Sequence, residues 1–264
     1  MSSNLPIGVF DSGVGGLSVL KFIRQQLPAE DLLYVADTAY APYGKRPLKE
    51  IQDRCITITE FLLAQGAKAI VVACNTATAA AVERLREQFH IPIIGMEPGL
   101  KPAIAHTSSK VVAILATDNT LTSQRFESLI GRYNTDTHLI IQPCTEWVEL
   151  IEKGDFDSPE IEKSLNTIIP PLLEKNVDTI VLGCSHYPLI LKQIEQHTQQ
   201  SARAIDTGEA VAKEVKRRVT EANLCNRQDH TGTEKIWSSS GSKQTAALIH
   251  KIWPGVDGIE HLII

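Results

Sequence analysis

The sequence predicts an α/β protein of two pseudo-symmetric α/β lobes with mostly parallel sheets, and a site in the cleft between them. Three observations carry this expectation. Short β-branched apolar runs alternate with amphipathic stretches of helical length, the mark of parallel sheets covered by helices on both faces. Two of those runs stop abruptly at small polar residues: Ala69–Thr78 reads AIVVACNTAT and Thr179–Pro188 reads TIVLGCSHYP. Buried strands end this way where their carboxyl ends open on a ligand crevice. The chain also repeats itself. At the offset between Cys74 and Cys184, Leu62, Leu63, Ile70 and Val71 fall on Leu172, Leu173, Ile180 and Val181. Two copies of helix, strand and cysteine-tipped loop imply two half-units, each presenting one thiol.

In chain order, Leu5–Phe10 is a first strand. Asp11-Ser12-Gly13-Val14-Gly15-Gly16 follows, then an amphipathic helix to about Leu27. The glycines permit a tight turn and let backbone amides approach an anion at a helix N-terminus. Their spacing is neither GxGxxG nor a P-loop, so it does not specify a nucleotide. Leu32–Ala36 is a second strand, and Asp37–Pro47 (DTAYAPYGKRP) is an aperiodic loop of a length that is more often functional than idle. A long helix, Leu48–Gln65, leads to the Cys74 strand. Helix resumes over Ala77–Phe89, and Ile91–Gly95 is a fourth strand before an apparent crossover at Glu97-Pro98-Gly99.

The second half repeats the scheme. Val111–Leu115 is a strand ending in Ala116-Thr117-Asp118-Asn119-Thr120, with helix to about Arg132. His138–Ile141 is a strand, Glu146–Glu152 a short helix and Pro159–Lys175 a long one before the Cys184 strand. Another helix follows Pro188 to about Gln199, and strand Ala202–Ile205 opens at Asp206-Thr207-Gly208 into a helix through about Ala222. Residues 226–233 are polar and loop-like. Glu234–Trp237, a helix over Lys243–Ile252 and the strand-like tail Ile259–Ile264 complete the chain. The first repeat alone is short of strands, so the first lobe is expected to comprise 1–97 plus 209–264, and the second 98–208.

Composition narrows the function. A hydrophobic content of 43% and a mean hydropathy of −0.06 describe a soluble globular chain of 264 residues. A formal net charge of −5 provides no basic footprint for nucleic acid, and no apolar run approaches the roughly 18 residues of a membrane span. The opening MSSNLPIG has neither the basic nor the apolar region of a signal peptide. The cysteines, 55, 74, 144, 184 and 225, are odd in number, widely spaced and free of CxxC, which argues against a disulfide framework or zinc knuckle and for a reducing cytoplasm.

Two lobes closing on a cleft would aim Cys74 and Cys184 at opposite faces of a bound molecule. A thiolate on one face and a thiol on the other can remove a proton from carbon and return one from the far side, inverting a stereocentre by general acid–base catalysis. A free thiol with a pKa near 8.5 is only a few per cent ionised at neutral pH, and making it fully available costs about 2 kcal/mol. Helix N-termini following both cysteines would lower that cost. Asp11 and His186 are candidates to hold protons beside the thiols. Ser12, Asn75, Thr76 and Ser185 offer neutral donors and acceptors suited to a carboxylate and an ammonium. No metal-ligand cluster with suitable spacing occurs.

At these residues the chain resembles a known family. FDSGVGGLSVL (10–20), ADTAYAPYG (36–44), VACNTAT (72–78) and GCSHYP (183–188), in that order, are similar to the glutamate racemases of the cofactor-independent aspartate/glutamate racemase superfamily. The resemblance runs from about Ile7 onward and weakens after Val219. It implies two α/β lobes, Cys74 and Cys184 as proton donor and acceptor, and no need for pyridoxal phosphate, another cofactor or a metal. It also implies assisting acid–base roles for Asp11, Glu152 and His186. Substrate binding falls to Asp11-Ser12, Pro42-Tyr43-Gly44, Asn75-Thr76, Thr117 and Ser185-His186. The family usually has threonine where Ser185 stands. The implied role is cytoplasmic supply of D-glutamate for peptidoglycan by a homodimer. Rival expectations are a cysteine hydrolase using Cys184 and His186, a two-lobed binding protein without catalysis, and a superfamily member acting on another small acid such as aspartate.

Overall fold

A computed structural model of the chain describes residues 4–133, 136–226 and 231–264. In chain order its strands are β1 (Ile7–Asp11), β2 (Leu32–Ala36), β3 (Ala69–Val72), β4 (Ile93–Ile94), β5 (Val111–Ala116), β6 (His138–Pro143), β7 (Thr179–Leu182), β8 (Arg203–Ile205), β9 (Glu234–Ser238) and β10 (Ile259–His261). Its helices are α1 (Leu17–Gln26), α2 (Leu48–Ala64), α3 (Asn75–Gln88), α4 (Leu100–His106), α5 (Asp118–Leu121), α6 (Gln124–Arg132), α7 (Thr145–Glu152), α8 (Pro159–Glu174), α9 (Leu191–Thr198), α10 (Gly208–Glu221) and α11 (Lys243–Ile252).

The strands form two sheets, parallel throughout. The first has the order β10-β9-β2-β1-β3-β4 and the second β6-β5-β7-β8. The order of the second is that of β2-β1-β3-β4 in the first, so the repeat read at the Cys74 and Cys184 strands extends over four strands of each sheet. In each, the chain reverses its direction of growth between the first strand of the unit and the cysteine strand. Ligands bind at such switch points in open α/β sheets.

Alternation along the strands sets the layers. Ile7, Val9, Tyr34, Ala69 and Val71 face α1 and α10, whereas Phe10, Val35, Ile70 and Val72 face α2 and α3. In the second sheet Ala113, Leu115, Ile180 and Leu182 pack on α7, α8 and α9, and Val112, Ile114 and Val181 on α4 and α6. The central strands are buried on both faces, as their unbroken apolar composition requires. At the far end of the first sheet, Lys68 and Glu30 form a fully buried ion pair, with Glu30 also accepting from the Asn226 amide at 2.7 Å. Removing one member of such a pair costs about 3–5 kcal/mol because the other charge is left unmatched in an apolar interior.

Several boundaries differ from the sequence-based expectations. α3 begins at Asn75 rather than Ala77, because Cys74 itself caps it. α4 was not expected, since it is short and carries Pro102 in its first turn, where proline is tolerated. The single helix expected up to Arg132 is two, broken at Thr122-Ser123, where the Ser123 hydroxyl accepts from the Phe126 amide at 3.1 Å. After His186 the chain makes a 3-10 turn, Tyr187–Ile190, before α9. The 37–47 loop contains two 3-10 turns, Thr38–Tyr40 and Tyr43–Lys45, with a cis Ala41–Pro42 bond between them. Of the predicted 226–233 loop, residues 227–230 lie outside the described residues. Among the described residues no helix is long and apolar enough to cross a membrane.

Candidate active site

Cys74 and Cys184 stand just beyond the carboxyl ends of β3 and β7, at the two switch points. The Cys74 sulfur caps α3, accepting from the Ala77 amide at 3.4 Å, and donates toward the Ser12 hydroxyl at 3.7 Å. The Cys184 sulfur lies 3.8 Å from Nδ1 of His186. The expectation of a helix N-terminus behind both thiols therefore holds for Cys74 only. At Cys184 the 3-10 turn intervenes and an imidazole takes the place of a helix end. Relative exposures of 4% and 6% place both thiols inside a closed seam between the lobes.

Asp11, Ser185, His186 and Glu152 join the two thiols into one cluster. Asp11 Oδ2 accepts from the amides of Gly13 (3.2 Å) and Gly16 (2.9 Å), and Oδ1 accepts from the Ser185 hydroxyl at 3.2 Å across the seam. His186 Nδ1 is 3.9 Å from Asp11 Oδ2, while Nε2 bonds Glu152 Oε1 at 2.7 Å. That same carboxylate oxygen accepts from the Val14 amide at 2.8 Å. The glycine-rich turn thus receives carboxylates, as its amides suggested, but they belong to the protein. Its glycines are needed for close approach: a Cβ on Gly13 would lie 1.9 Å from Glu152 Oε1, and one on Gly15 2.3 Å from His186 Nδ1.

Around this cluster lie buried neutral groups. The hydroxyls of Thr76, Thr117 and Thr120 form a triangle with edges of 2.8, 3.1 and 3.0 Å, one corner from the first lobe and two from the second. Asn75 is buried, its amide nitrogen 3.5 Å from the Met96 carbonyl, and its Oδ1 has no partner among the described residues. Tyr43 is held by its hydroxyl to Asp37 Oδ2 at 2.6 Å, and Arg54 grips both oxygens of the same carboxylate. Pro42 is half-buried and lines a surface cavity of about 300 Å³ with Glu152 and Glu149. No group of three His, Cys, Asp or Glu side chains that could hold a metal ion occurs among the described residues.

A family model described as Asp/Glu/Hydantoin racemase matches residues 7–215. The chain belongs to that family. Among its relatives, the glutamate racemase of Methylococcus capsulatus is 48% identical over 257 residues, covering 97% of this chain and 95% of its own. Among solved structures, glutamate racemase from Francisella tularensis, in complex with D-glutamate, superposes with a TM-score of 0.85 at 27% identity, covering 99% of this chain and 98% of its own. The Escherichia coli glutamate racemase, in complex with L-glutamate and the activator UDP-MurNAc-ala, gives 0.86 at 30% identity and covers 98% of each chain.

Within this cluster, electrostatics differ between the two thiols' surroundings. Burial, reinforced by the Asp11 carboxylate, pushes the Cys74 thiol well above its ordinary range, against the Ala77 amide and Ser12 that favour the thiolate. Burial also raises Asp11, partly offset by His186 and the Gly16 amide. Burial alone would lower His186; its bonds to Cys184 and Glu152 and the nearby Asp11 carboxylate outweigh that and push the imidazole well above its usual pKa. Asp11 thus stands beside Cys74 and His186 beside Cys184.

Every residue singled out in the sequence lies at this seam, with Pro42 at its outer edge. Sequence reasoning passed over Thr120, Asp37, Arg54 and Asn119. Thr120 alone had a local signal, standing three residues after Thr117 on a helical start. Ser185 is fully buried with its hydroxyl on a carboxylate. Losing a hydrogen bond to a charged group costs about 1.5–3 kcal/mol, roughly tenfold to more than a hundredfold. Ser185→Ala is expected to lower kcat/KM by that order, and Ser185→Thr to be tolerated. Steady-state kinetics of the two variants checks this, and an alanine variant matching the parent would make Ser185 plain loop structure.

Proposed function

We propose that this chain interconverts L- and D-glutamate, one of Cys74 and Cys184 taking the α-proton and the other delivering its own proton to the opposite face. The observation that carries the proposal is the placement of two thiols at equivalent switch points of two like-ordered sheets, joined through Asp11, His186 and Glu152. The glutamate racemase names of its relatives and of the matching structures support glutamate over other small acids. A cysteine hydrolase would need only Cys184 with His186, and would leave Cys74 and its partner Asp11 without work.

The chemistry follows from the cluster. A zwitterionic amino acid brings an ammonium into it, a positive charge that favours thiolate over thiol. Asn75 Oδ1, an acceptor without a donor among the described residues, suits that ammonium. One sulfur, as thiolate, takes the α-proton, and the electron pair left on carbon delocalises into the carboxylate. The Ser12 hydroxyl, which accepts from Cys74, can give its own hydrogen to the charge that builds there, and the Thr76 and Thr117 hydroxyls can turn theirs to it, while Ser185 donates to Asp11. The opposite sulfur, as thiol, delivers its proton to the other face. One proton leaves carbon, one arrives, and the two sulfurs exchange protonation states. Asp11 and His186 receive or supply the proton that resets each thiol, and Glu152 holds the imidazole in place.

The same membership supports a role in supplying D-glutamate for peptidoglycan, as a homodimer in the cytoplasm. The lobes are proposed to divide as residues 1–97 with 209–264, and 98–208. The test is chiral analysis of a panel of L-amino acids incubated with the protein in buffer containing a chelator. L-Glutamate is expected to become racemic while L-aspartate persists. Racemised aspartate with untouched glutamate would overturn the substrate, and no inversion of either would overturn the reaction.

A further inference from the structure

The seam is closed at one point by a side chain that lies outside the catalytic cluster. Asn119, on α5 of the second lobe, donates from Nδ2 to two main-chain carbonyls of the first lobe, Tyr43 O and Arg46 O, both at 2.9 Å. Those carbonyls bracket the 3-10 turn Tyr43–Lys45, which carries the Tyr43-Gly44 segment. On its own lobe the turn is anchored from below, through the Tyr43 hydroxyl on Asp37 and the Arg54 guanidinium on the same carboxylate. On the far lobe, Gly44 is pressed so closely on Thr117 that a Cβ would come within 2.8 Å of the threonine Cβ. The turn is thus a tongue of the first lobe inserted against the second, with the Thr76–Thr117–Thr120 hydroxyls beside it and Asn119 across its back.

We propose that Asn119 is a positioning residue that latches the 43–46 turn onto the second lobe, and that this latch sets how tightly the closed seam retains substrate rather than the rate of proton transfer. The proposal rests, for its substrate, on the glutamate reading above. Asparagine suits the role because its single amide nitrogen carries two hydrogens in one plane, one for each carbonyl. Aspartate has the same shape and offers only acceptors, so Asn119→Asp turns two attractions into two repulsions. Asn119→Ala removes both bonds without adding charge. The side chain touches neither thiol, Asp11 nor His186 in any hydrogen bond of the structure, so proton transfer itself has no reason to slow.

The experiment compares the parent with Asn119→Ala and Asn119→Asp in two measurements. The first is hydrogen–deuterium exchange of the peptide covering 38–47 in the protein without substrate, which reads the latch whatever the chain's activity. Two neutral hydrogen bonds correspond to roughly five- to hundredfold in an opening equilibrium, so exchange there is expected to quicken by that factor, more in the aspartate variant, while peptides of β1 and β5 keep their protection. The second is steady-state racemisation of glutamate, in which KM is expected to rise by a similar factor with kcat within about twofold. Unchanged exchange at 38–47 would overturn the latch. Faster exchange with unchanged KM, or a fall confined to kcat, would overturn its role in retaining substrate. Faster exchange in the variants of a protein that leaves glutamate untouched would keep the latch and place the failure in the proposed substrate.

Discussion

Cys74→Ala and Cys184→Ala are each expected to abolish inversion in both directions, with losses at the upper end of, or beyond, the 10²–10⁴-fold that a positioned acid or base contributes. In the proposed mechanism the two thiols act on opposite faces of one carbon, so neither can stand in for the other. Cys74 also caps α3 through the Ala77 amide, so its alanine variant loses a structural contact as well. Cys74→Ser separates the two effects: a serine hydroxyl is a good N-cap but a far weaker acid than a thiol. The serine variant is expected to melt like the parent and to remain inactive. Activity is read by chiral chromatography of glutamate, and folding by thermal unfolding. A single variant that folds normally and retains near-parental turnover would sink the two-thiol mechanism.

In heavy water, D-glutamate formed early from L-glutamate is expected to be almost fully deuterated at the α-carbon, while the remaining L-glutamate stays nearly unlabelled. The acid that protonates the far face carries a hydrogen exchanged with solvent before the substrate bound. The base on the near face holds the hydrogen it has just removed and tends to hand it back. Closure sharpens the contrast. Both sulfurs are almost wholly covered when the lobes meet, and water kept from the carbanion cannot label it. Mass spectrometry of each enantiomer, separated at a few per cent conversion, decides the matter. Mostly unlabelled D-glutamate would mean one base serving both faces, and the duplicated cysteine would need another explanation.

The 37–47 loop shows how legibility in the sequence divides. That it was a loop, of a length more often functional than idle, could be read from Pro42, Gly44, Pro47 and the lack of period. What it does could not. Its two 3-10 turns are held by Asp37, Arg54 and Asn119, whose hydrogen bonds no local pattern announces. Glu152 is similar: it was named only because the resemblance implied it, since its partner amide at Val14 lies 138 residues away.

By itself, the sequence determined the alternation of strands and helices, the two-fold repeat and the positions of Cys74 and Cys184 at polar strand ends. Each of these depends on local periodicity and on residue types within a few positions of one another, which a linear chain displays directly. Only the tertiary structure decided that β9 and β10 extend the first sheet beyond β2, that one thiol is served by a helix end and the other by an imidazole, and that Asp11 meets Ser185 across 174 residues. Those pairings are chosen by how two lobes pack face to face. Packing sums many weak contacts between distant segments, so no one stretch of the chain contains them.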